Sequence, residues 1–298
     1  MTWPINEIQN LPTNLKYLAA RRKTFEACNL LIVISFLLVL GLSCIAFWLP
    51  KGNSEAAEIL AIVSLIYTVF EASFIDPKIA KTSKRNASLQ EKFDCNIFDI
   101  DQNPHFAPDL SKASIEADAL ALSAKKMEKL ANWYERDLGS LPKPVAGFVA
   151  QYTSTAYDYS LRQFYLRLLW GLFIVLIACG GIYLVGQNDK FRNSIVVSVV
   201  PFVPLFIWFI KAIRSNSELA SEQNEALKLM DDAWRQVRRG VLKGPALKEA
   251  VRDSQDALYM RRASPTLIFP GIYRLRRSEL EGRAARTAAT FRAEYEAA

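Results

Sequence analysis

The sequence is poor in the side chains that most enzyme active sites and metal centres require. His105 is the single histidine among 298 residues, and its place between Pro104 and Phe106 is typical of a loop rather than of a general base. The four cysteines provide neither a disulfide framework nor a paired C-x-x-C ligand set. The chain also lacks a G-x-x-x-x-G-K-[ST] loop, a G-x-S-x-G elbow and an H-E-x-x-H motif. We therefore expect a protein that is not an enzyme and that needs no metal or cofactor.

Charged residues are scarce over long stretches of the chain. Four apolar runs, at residues 28–49, 56–75, 168–186 and 192–211, are each about 20 residues long, the length that a helix needs to cross ~30 Å of hydrocarbon. The first and third contain no charged residue, whereas a core helix of a soluble domain usually carries charges along one face. Short polar segments join the runs in pairs. The sequence therefore predicts an all-α membrane protein with four transmembrane helices arranged as two hairpins.

The basic residues that flank these runs predict the orientation in the membrane, because Lys and Arg in short flanks are retained in the cytoplasm. The two hairpin loops carry only Lys51, Lys190 and Arg192, and the other flanks are richer in Lys and Arg. Both termini are thus expected in the cytoplasm. The predicted segments are a cytoplasmic N-terminal helix (1–27), hairpin one (28–75), a cytoplasmic helical segment (76–167), hairpin two (168–211) and a cytoplasmic C-terminal helical domain (212–298).

Outside the membrane the sequence is rich in helix formers. Residues 110–137 have apolar side chains at three- and four-residue spacing and predict one continuous helix. Asp76-Pro77 predicts a break after the second span, and the proline-containing segments 93–109 and 264–272 are expected to be irregular. Three spans should continue into the cytoplasm as helical stalks, over residues 13–27, 145–167 and 211–240.

The second span carries a polar stripe. Ser64, Tyr67, Thr68 and Glu71 fall at i, i+3, i+4 and i+7 and so share one helix face. Polar and ionisable groups in hydrocarbon usually face a bundle interior or a water-filled path, so a pore lining is one interpretation. The alternative is that Ser and Thr hydrogen-bond a neighbouring helix while Glu71 extends to the membrane interface.

Short motifs in a characteristic order around the four spans resemble the SMODS-associated four-transmembrane pore-forming effectors. The motifs are Ile5–Asn10, Leu18–Lys23, Leu89–Asp94, Trp133-Tyr134, Tyr157–Arg162, Ser254–Arg261 and Phe269–Tyr273. The resemblance implies an effector of bacterial anti-phage immunity of the CBASS kind. In such systems an infection-activated nucleotidyltransferase makes a cyclic oligonucleotide, and the effector disrupts the inner membrane. Residues Cys95–Asp99 depart from the expected apolar stretch ending in Trp, so details of that loop are not carried over.

Residues 238–277 are the most basic part of the chain, with ten Arg and Lys against three acidic residues. Guanidinium groups suit phosphates, and aromatic rings stack on bases, so this stretch is the candidate cyclic-oligonucleotide site. Two alternatives stay open, namely binding of anionic lipid headgroups and ion pairing within the subunit. If the site lay elsewhere, it would be sought near Trp133, Tyr134 and Arg136. The candidate ligand-binding residues are Arg252, Tyr259, Arg261, Arg262, Tyr273 and Arg274.

Four spans in one chain can hardly enclose a wide aqueous path, so the pore interpretation requires a homo-oligomer with cyclic symmetry. The expected partners are the cyclic oligonucleotide and the lipid bilayer, with no nucleic acid polymer. Two other function classes compete with this one. A membrane-anchored signalling or scaffold protein without a pore would bind anionic lipids through its basic domain. A small transporter usually shows internal repeats and broken helices around a midplane site, and four spans with mostly cytoplasmic mass fit that class poorly.

Overall fold

The computed structural model describes residues 3–48, 54–106, 110–185 and 202–298, where the chain forms helices and turns but no strand. The predicted all-α fold is confirmed over these ranges. The helices are α1 (Ile5–Gln9), α2 (Pro12–Trp48), α3 (Ser54–Phe70), α4 (Asp76–Phe98), α5 (Lys112–Leu120), α6 (Ala124–Glu128), α7 (Lys143–Val185), α8 (Val203–Arg238), α9 (Gly244–Ala263) and α10 (Ile272–Glu296), with a π-helical turn at Glu71–Ile75 and a 3-10 turn at Arg136–Ser140.

Three helices are long and apolar enough to cross a membrane, namely Pro12–Trp48, Glu58–Phe98 and Lys143–Ile182. They contain the first three predicted spans. Large apolar side chains point outward from them, as lipid-facing residues do. Leu30 is 60 % exposed, Ile59 62 % and Ile174 61 %.

The predicted fourth span, 192–211, lies outside the described residues up to 201, as do most residues of the two hairpin loops. Helix α8 begins at Val203 and holds the last part of this span. The pairing of the spans into two hairpins therefore stays a prediction.

The residues predicted as stalks lie in continuous helices. Helix α2 begins at Pro12, well before the first apolar run, and α8 continues to Arg238. Helix α7 has 43 residues, which corresponds to about 65 Å at 1.5 Å per residue. That these helices form cytoplasmic stalks stays a prediction.

The predicted break at Asp76-Pro77 is wrong, because α3, the π-helical turn and α4 follow one another without interruption. Within the turn the backbone N–H of Asp76 donates to the carbonyl oxygen of Glu71, five residues earlier. Proline has no N–H and its ring crowds the carbonyl of the preceding turn. A widened π-helical turn directly before Pro77 relieves that conflict. The backbone hydrogen bonds there join residues five apart instead of four, and the helix continues.

The continuous helix predicted over 110–137 is also wrong, since the chain there forms α5, α6 and the 3-10 turn. Leu122 and Leu138 are both buried in the same core. If the predicted helix ran straight and continued by one residue to Leu138, these two side chains would point about 160° apart, because each residue turns the helix by ~100°. Breaking the helix allows both to reach the core, and Asn132, with a φ of 55°, takes a left-handed conformation within the break.

Of the two segments expected to be irregular, the first is helical as far as Phe98, where α4 buries Phe93, Ile97 and Phe98. Asp99 ends α4 with a left-handed φ of 58°. The second is confirmed as irregular from Ser264 to Gly271, between α9 and α10.

Three apolar cores hold the described helices together, and the smallest contains Ala20, Leu89 and Ile115. The largest core lies in the polar part of the molecule and includes Leu18, Phe93, Phe148 and Trp234. The second core lies where the stalks meet the spans. Its buried or partly buried members come from α2, α7, α8, α10 and the segment before α10, and include Phe36, Tyr165, Phe209, Leu280 and Phe269. Full burial of a large apolar side chain contributes about 1.5–3 kcal/mol.

Candidate functional site

The polar stripe of the second span faces α2 of the same chain. The Tyr67 hydroxyl donates to Ser35 Oγ on α2 at 2.9 Å, and the Ser35 hydroxyl donates to Glu71 Oε1. Thr68 donates to the carbonyl oxygen of Ser64 at 2.9 Å, and Ser64 is fully buried. The four residues therefore share one face, and in this conformation that face is a contact between helices. Their role as a pore lining stays a prediction.

A second polar cluster is buried between α4 and α9, in the polar part of the molecule. Glu91 Oε1 on α4 accepts from Arg252 Nη2 at 2.7 Å, and Glu91 Oε2 accepts from Gln255 Nε2 at 2.7 Å. One turn later, Asp94 Oδ2 accepts from Arg262 Nη1 at 2.6 Å. Both carboxylates are buried with nearly no exposed surface. These ion pairs fix the position of α9 against α4.

Asp94 is the centre of this cluster. Its Oδ1 accepts from the Tyr134 hydroxyl at 2.6 Å and from Gln90 Nε2 at 2.8 Å, while Gln255 Nε2 approaches Oδ2 at 3.2 Å. Burial, together with the negative charge of Asp94, raises the pKa of Tyr134 well above its usual value. Burial opposes the charged form of Arg262, but Asp94 more than compensates and raises the pKa of that guanidinium. Asp94 is thus a hydrogen-bonded internal anion.

The structure brings four of the six predicted ligand-binding residues together on α9. Arg252 and Arg262 already pair with the buried carboxylates. Tyr259 is buried, with its ring stacked on Phe106 at 5.2 Å between centroids. The fourth, Arg261, donates only to the Thr155 hydroxyl on α7, at 3.3 Å.

The other two predicted residues lie on α10. The Tyr273 ring is 6.1 Å from that of Tyr157 on α7, and Tyr273 is 43 % exposed. Arg274 is exposed and makes no ion pair with any described residue. The structure records no direct contact between this pair and the four residues on α9.

Two further arginines lie outside the basic stretch 238–277, and of these Arg21 is close enough to Arg262 to sense its charge. Arg21 on α2 places its guanidinium over the Trp133 ring, 5.5 Å from the centroid. Arg162 on α7 is buried and donates to the side-chain oxygen of Asn216 on α8. The sequence did hold a signal for both, since each belongs to one of the motifs that carry the resemblance. Both residues also lie beside predicted spans, where basic residues indicate the orientation in the membrane.

The charges of this arginine cluster are incompletely balanced. Burial and the neighbouring charge of Arg262 lower the pKa of both Arg21 and Arg261, and burial lowers that of Arg162. Asp158 on α7 acts in the opposite direction on all three. None of the three forms an ion pair with a carboxylate of the described chain. Arg21, Arg261 and Arg262 therefore lie near Asp94 and Asp158, with the exposed Glu222 also acting on Arg261, and this arrangement can attract an anion.

The irregular segment 264–271 begins two residues after Arg262 and packs among the membrane helices. The Phe269 ring lies 5.4 Å from that of Phe36 on α2, and Phe36 lies 4.7 Å from Trp208 on α8. Phe36 falls inside the first predicted span. We call residues 264–271 the wedge, because they connect the end of α9 to the contacts between spans.

A groove lies between α7 and α8. It has a volume of about 370 Å³ and contains none of the predicted site residues. No group of His, Cys, Asp and Glu suited to hold a metal ion occurs in the described ranges. The groove is lined by Tyr159, Gln163, Leu166, Arg167, Trp170, Ser217, Ala220, Ser221 and Asn224.

Comparison with known proteins places nearly the whole chain in one family. The family model described as the SMODS-associating 4TM effector domain matches residues 3–291. A protein of Bacillus cereus (strain VD146) named probable CBASS effector molecule is 23% identical over 273 residues, which are 89% of this chain and 90% of that protein. No solved structure matches the chain.

Proposed function

Because the chain belongs to the family of SMODS-associating 4TM effector domains, we propose that it is an effector of a CBASS anti-phage system. In this proposal a cyclic oligonucleotide binds the polar part of the molecule, and the protein then permeabilises the bacterial inner membrane, with both termini in the cytoplasm. The observation that carries the proposal is the wedge, since it links α9, the helix with most of the predicted ligand residues, to Phe36 inside a span.

A ligand can shift a closed-to-open equilibrium only by its different affinity for the two states. Binding at the end of α9 would move the wedge, and the wedge contacts α2 and α8 through Phe36 and Trp208. The continuous helices α2, α7 and α8 supply further rigid connections. Replacement of Phe269 by Ala should therefore leave ligand binding intact and abolish permeabilisation.

A homo-oligomer with cyclic symmetry would supply the aqueous path. In this proposal Ser64, Tyr67, Thr68 and Glu71 contact α2 in the resting state and turn toward the pore axis on activation. Thr68→Leu and Glu71→Leu should then abolish leakage without changing expression, insertion or oligomer size. Unaltered leakage in both variants would move the pore to another face.

A single reconstitution experiment tests the proposed function. The full chain in phosphatidylcholine vesicles loaded with a fluorescent dye is screened against cyclic di- and trinucleotides, with thermal unfolding recorded in parallel. We expect one of them to raise the unfolding temperature and release the dye, and Arg286→Glu, an exposed substitution on α10, to behave as the wild type. If no cyclic oligonucleotide changed either readout, the proposal would be wrong.

A second candidate is a membrane-anchored signalling or scaffold protein without a pore. The hydrogen bonds from Tyr67 to Ser35 and from Ser35 to Glu71 favour it, since they occupy the most polar face of the second span within one chain. The same vesicles separate the two candidates. A scaffold would bind vesicles containing phosphatidylglycerol and release no dye.

The orientation in the membrane is tested by cysteine labelling in intact spheroplasts. Asn53→Cys and Asn188→Cys should react with an impermeant maleimide from outside. Native Cys95 is unsuitable as the internal reference, because its thiol is buried and would stay unlabelled on either side. Glu249→Cys, at an exposed position of α9, should react only after the membrane is opened, and its labelling in intact spheroplasts would reverse the orientation.

A further inference from the structure

We infer that Arg21, Arg261 and Arg262 form a binding site for a phosphodiester anion, where α2 and α7 approach the membrane. The site differs from the predicted set, because it adds Arg21 of α2 and leaves out Arg252, Tyr259, Tyr273 and Arg274. The inference rests on the proposed function for the idea that a phosphate-bearing molecule is the signal. The arrangement of the side chains stands independently of that idea.

Side chains from four directions converge on this site. Arg262 is joined through Asp94 to Tyr134, and the neighbouring Trp133 carries the guanidinium of Arg21 on its ring. Arg261 follows directly on α9 and reaches α7 through Thr155. The stacking on Trp133 holds Arg21 in place without neutralising its charge. The site therefore contains positive groups that are positioned by the fold and still carry free donors.

Arg261 shows the clearest sign of an unfilled role. Its Nε is buried and has no hydrogen-bond partner among the described residues, and its one hydrogen bond is a long contact to a hydroxyl. Arg252 Nε is likewise buried without a partner among the described residues, but the Arg252 side chain also contacts two carboxylates and a backbone oxygen, which Arg261 does not. A buried cation that lies close to other cations is poorly stabilised unless an anion binds to it. The lowered pKa values of Arg21 and Arg261 agree with this description.

The chemistry of these residues favours a phosphodiester over a carboxylate or a halide. A guanidinium group presents a planar fork of N–H donors that matches two phosphate oxygens. The three guanidinium groups exceed Asp94 and Asp158 by one charge, and the exposed Glu222 also acts on Arg261, so a single phosphodiester charge is the most that this excess can balance. Such a group can come from a free cyclic oligonucleotide or from an anionic lipid headgroup, because Arg21 lies seven residues before the first span, about 10 Å along the helix.

An anion at this site would link three moving parts. Arg21 belongs to the rod that becomes the first span, and Arg261 contacts the rod that becomes the third. Arg262 immediately precedes the wedge. Neutralising the mutual repulsion of these groups would draw α2, α7 and α9 together, and the wedge would follow the end of α9.

The test uses Arg21→Gln and Arg261→Gln in the full chain, with Arg286→Gln as the matched control. The probes are inorganic phosphate and the cyclic di- and trinucleotides of the vesicle screen, titrated in phosphatidylcholine nanodiscs, and a second arm uses phosphatidylglycerol nanodiscs. Because Arg21 and Arg261 form no carboxylate pair, their removal should leave the unfolding temperature without ligand unchanged or raised. Each substitution should weaken binding of the phosphodiester by about 10- to 150-fold, and the control should not.

The outcomes separate this site from the proposed function. If a cyclic oligonucleotide stabilises the wild type and the arginine substitutions weaken this effect, both the site and the proposed function are supported. If only phosphatidylglycerol has this arginine-dependent effect, the site is supported and assigned to lipid, and activation by a free nucleotide is contradicted. A cyclic oligonucleotide that binds the wild type and both variants equally overturns the site and leaves the proposed function standing. The site would be overturned if neither the soluble probes nor phosphatidylglycerol stabilised the wild type. It would also be overturned if Arg21→Gln and Arg261→Gln lowered the unfolding temperature without ligand and left the affinity unchanged.

Discussion

The buried pair of Arg262 and Asp94 gives a prediction that distinguishes a structural clamp from a ligand contact. Arg262 Nη1 donates to Asp94 Oδ2 at 2.6 Å, and the two side chains are 16% and 1% exposed. Removing one partner of a buried ion pair typically costs about 3–5 kcal/mol, because an uncompensated charge remains. Asp94→Asn leaves the Arg262 cation in that situation, with other cations close by. We expect the free energy of unfolding to fall by about 3–5 kcal/mol in this variant.

The opposite substitution should cost less. In Arg262→Met the Asp94 carboxylate still accepts hydrogen bonds from Tyr134, Gln90 and Gln255, which stabilise its charge. The double variant Asp94→Asn/Arg262→Met has no unpaired buried charge. Its destabilisation should therefore be smaller than the sum of the two single effects, by at least about 2 kcal/mol.

The assay is urea unfolding of the full chain in dodecyl maltoside micelles, followed by tryptophan fluorescence. Arg277→Met is the control, because its pair with Glu281 is about half exposed and should contribute no more than about 0.5 kcal/mol. Additive effects of the two single substitutions, to within ~0.5 kcal/mol, would refute the clamp. Equal costs for the two single variants would refute the account of Asp94.

Three further predictions concern other parts of the chain. Burial and the neighbouring Glu91 carboxylate raise the pKa of the Cys95 thiol, so it should resist iodoacetamide in the folded protein and react once urea is added. Rapid alkylation without urea would contradict its burial. Gly139→Ala should destabilise by about 1–3 kcal/mol, since a Cβ would lie 2.8 Å from a carbonyl oxygen, whereas Gly282→Ala should be neutral or stabilise by about 0.5–1 kcal/mol in urea unfolding. Tyr67→Phe should cost only about 0.6 kcal/mol, as interhelical hydrogen bonds in membranes do, and a loss of several kcal/mol would show a larger structural role.

The spans and stalks were predictable because their cause is local. A helix of about 20 apolar residues satisfies its own backbone hydrogen bonds within the membrane, so length and absence of charge are sufficient signals. The same holds for α7, whose residues before the third span contain no break signal. The predictions failed where a local signal competed with packing. Pro77 was accommodated by a π-helical turn, and the helix expected over 110–137 was broken so that Leu122 and Leu138 could share one core.

The sequence alone therefore predicted an all-helical chain, the three described helices that are long and apolar enough to cross a membrane, and where basic residues concentrate. It did not determine how the arginines are paired. Arg252 and Arg262 pair with carboxylates 161 and 168 residues away, and Arg21 approaches Arg262 from the other end of the chain. Only the tertiary structure decides such pairings, because charge balance in a buried cluster depends on distances between helices, and periodicity along one helix carries no information about them.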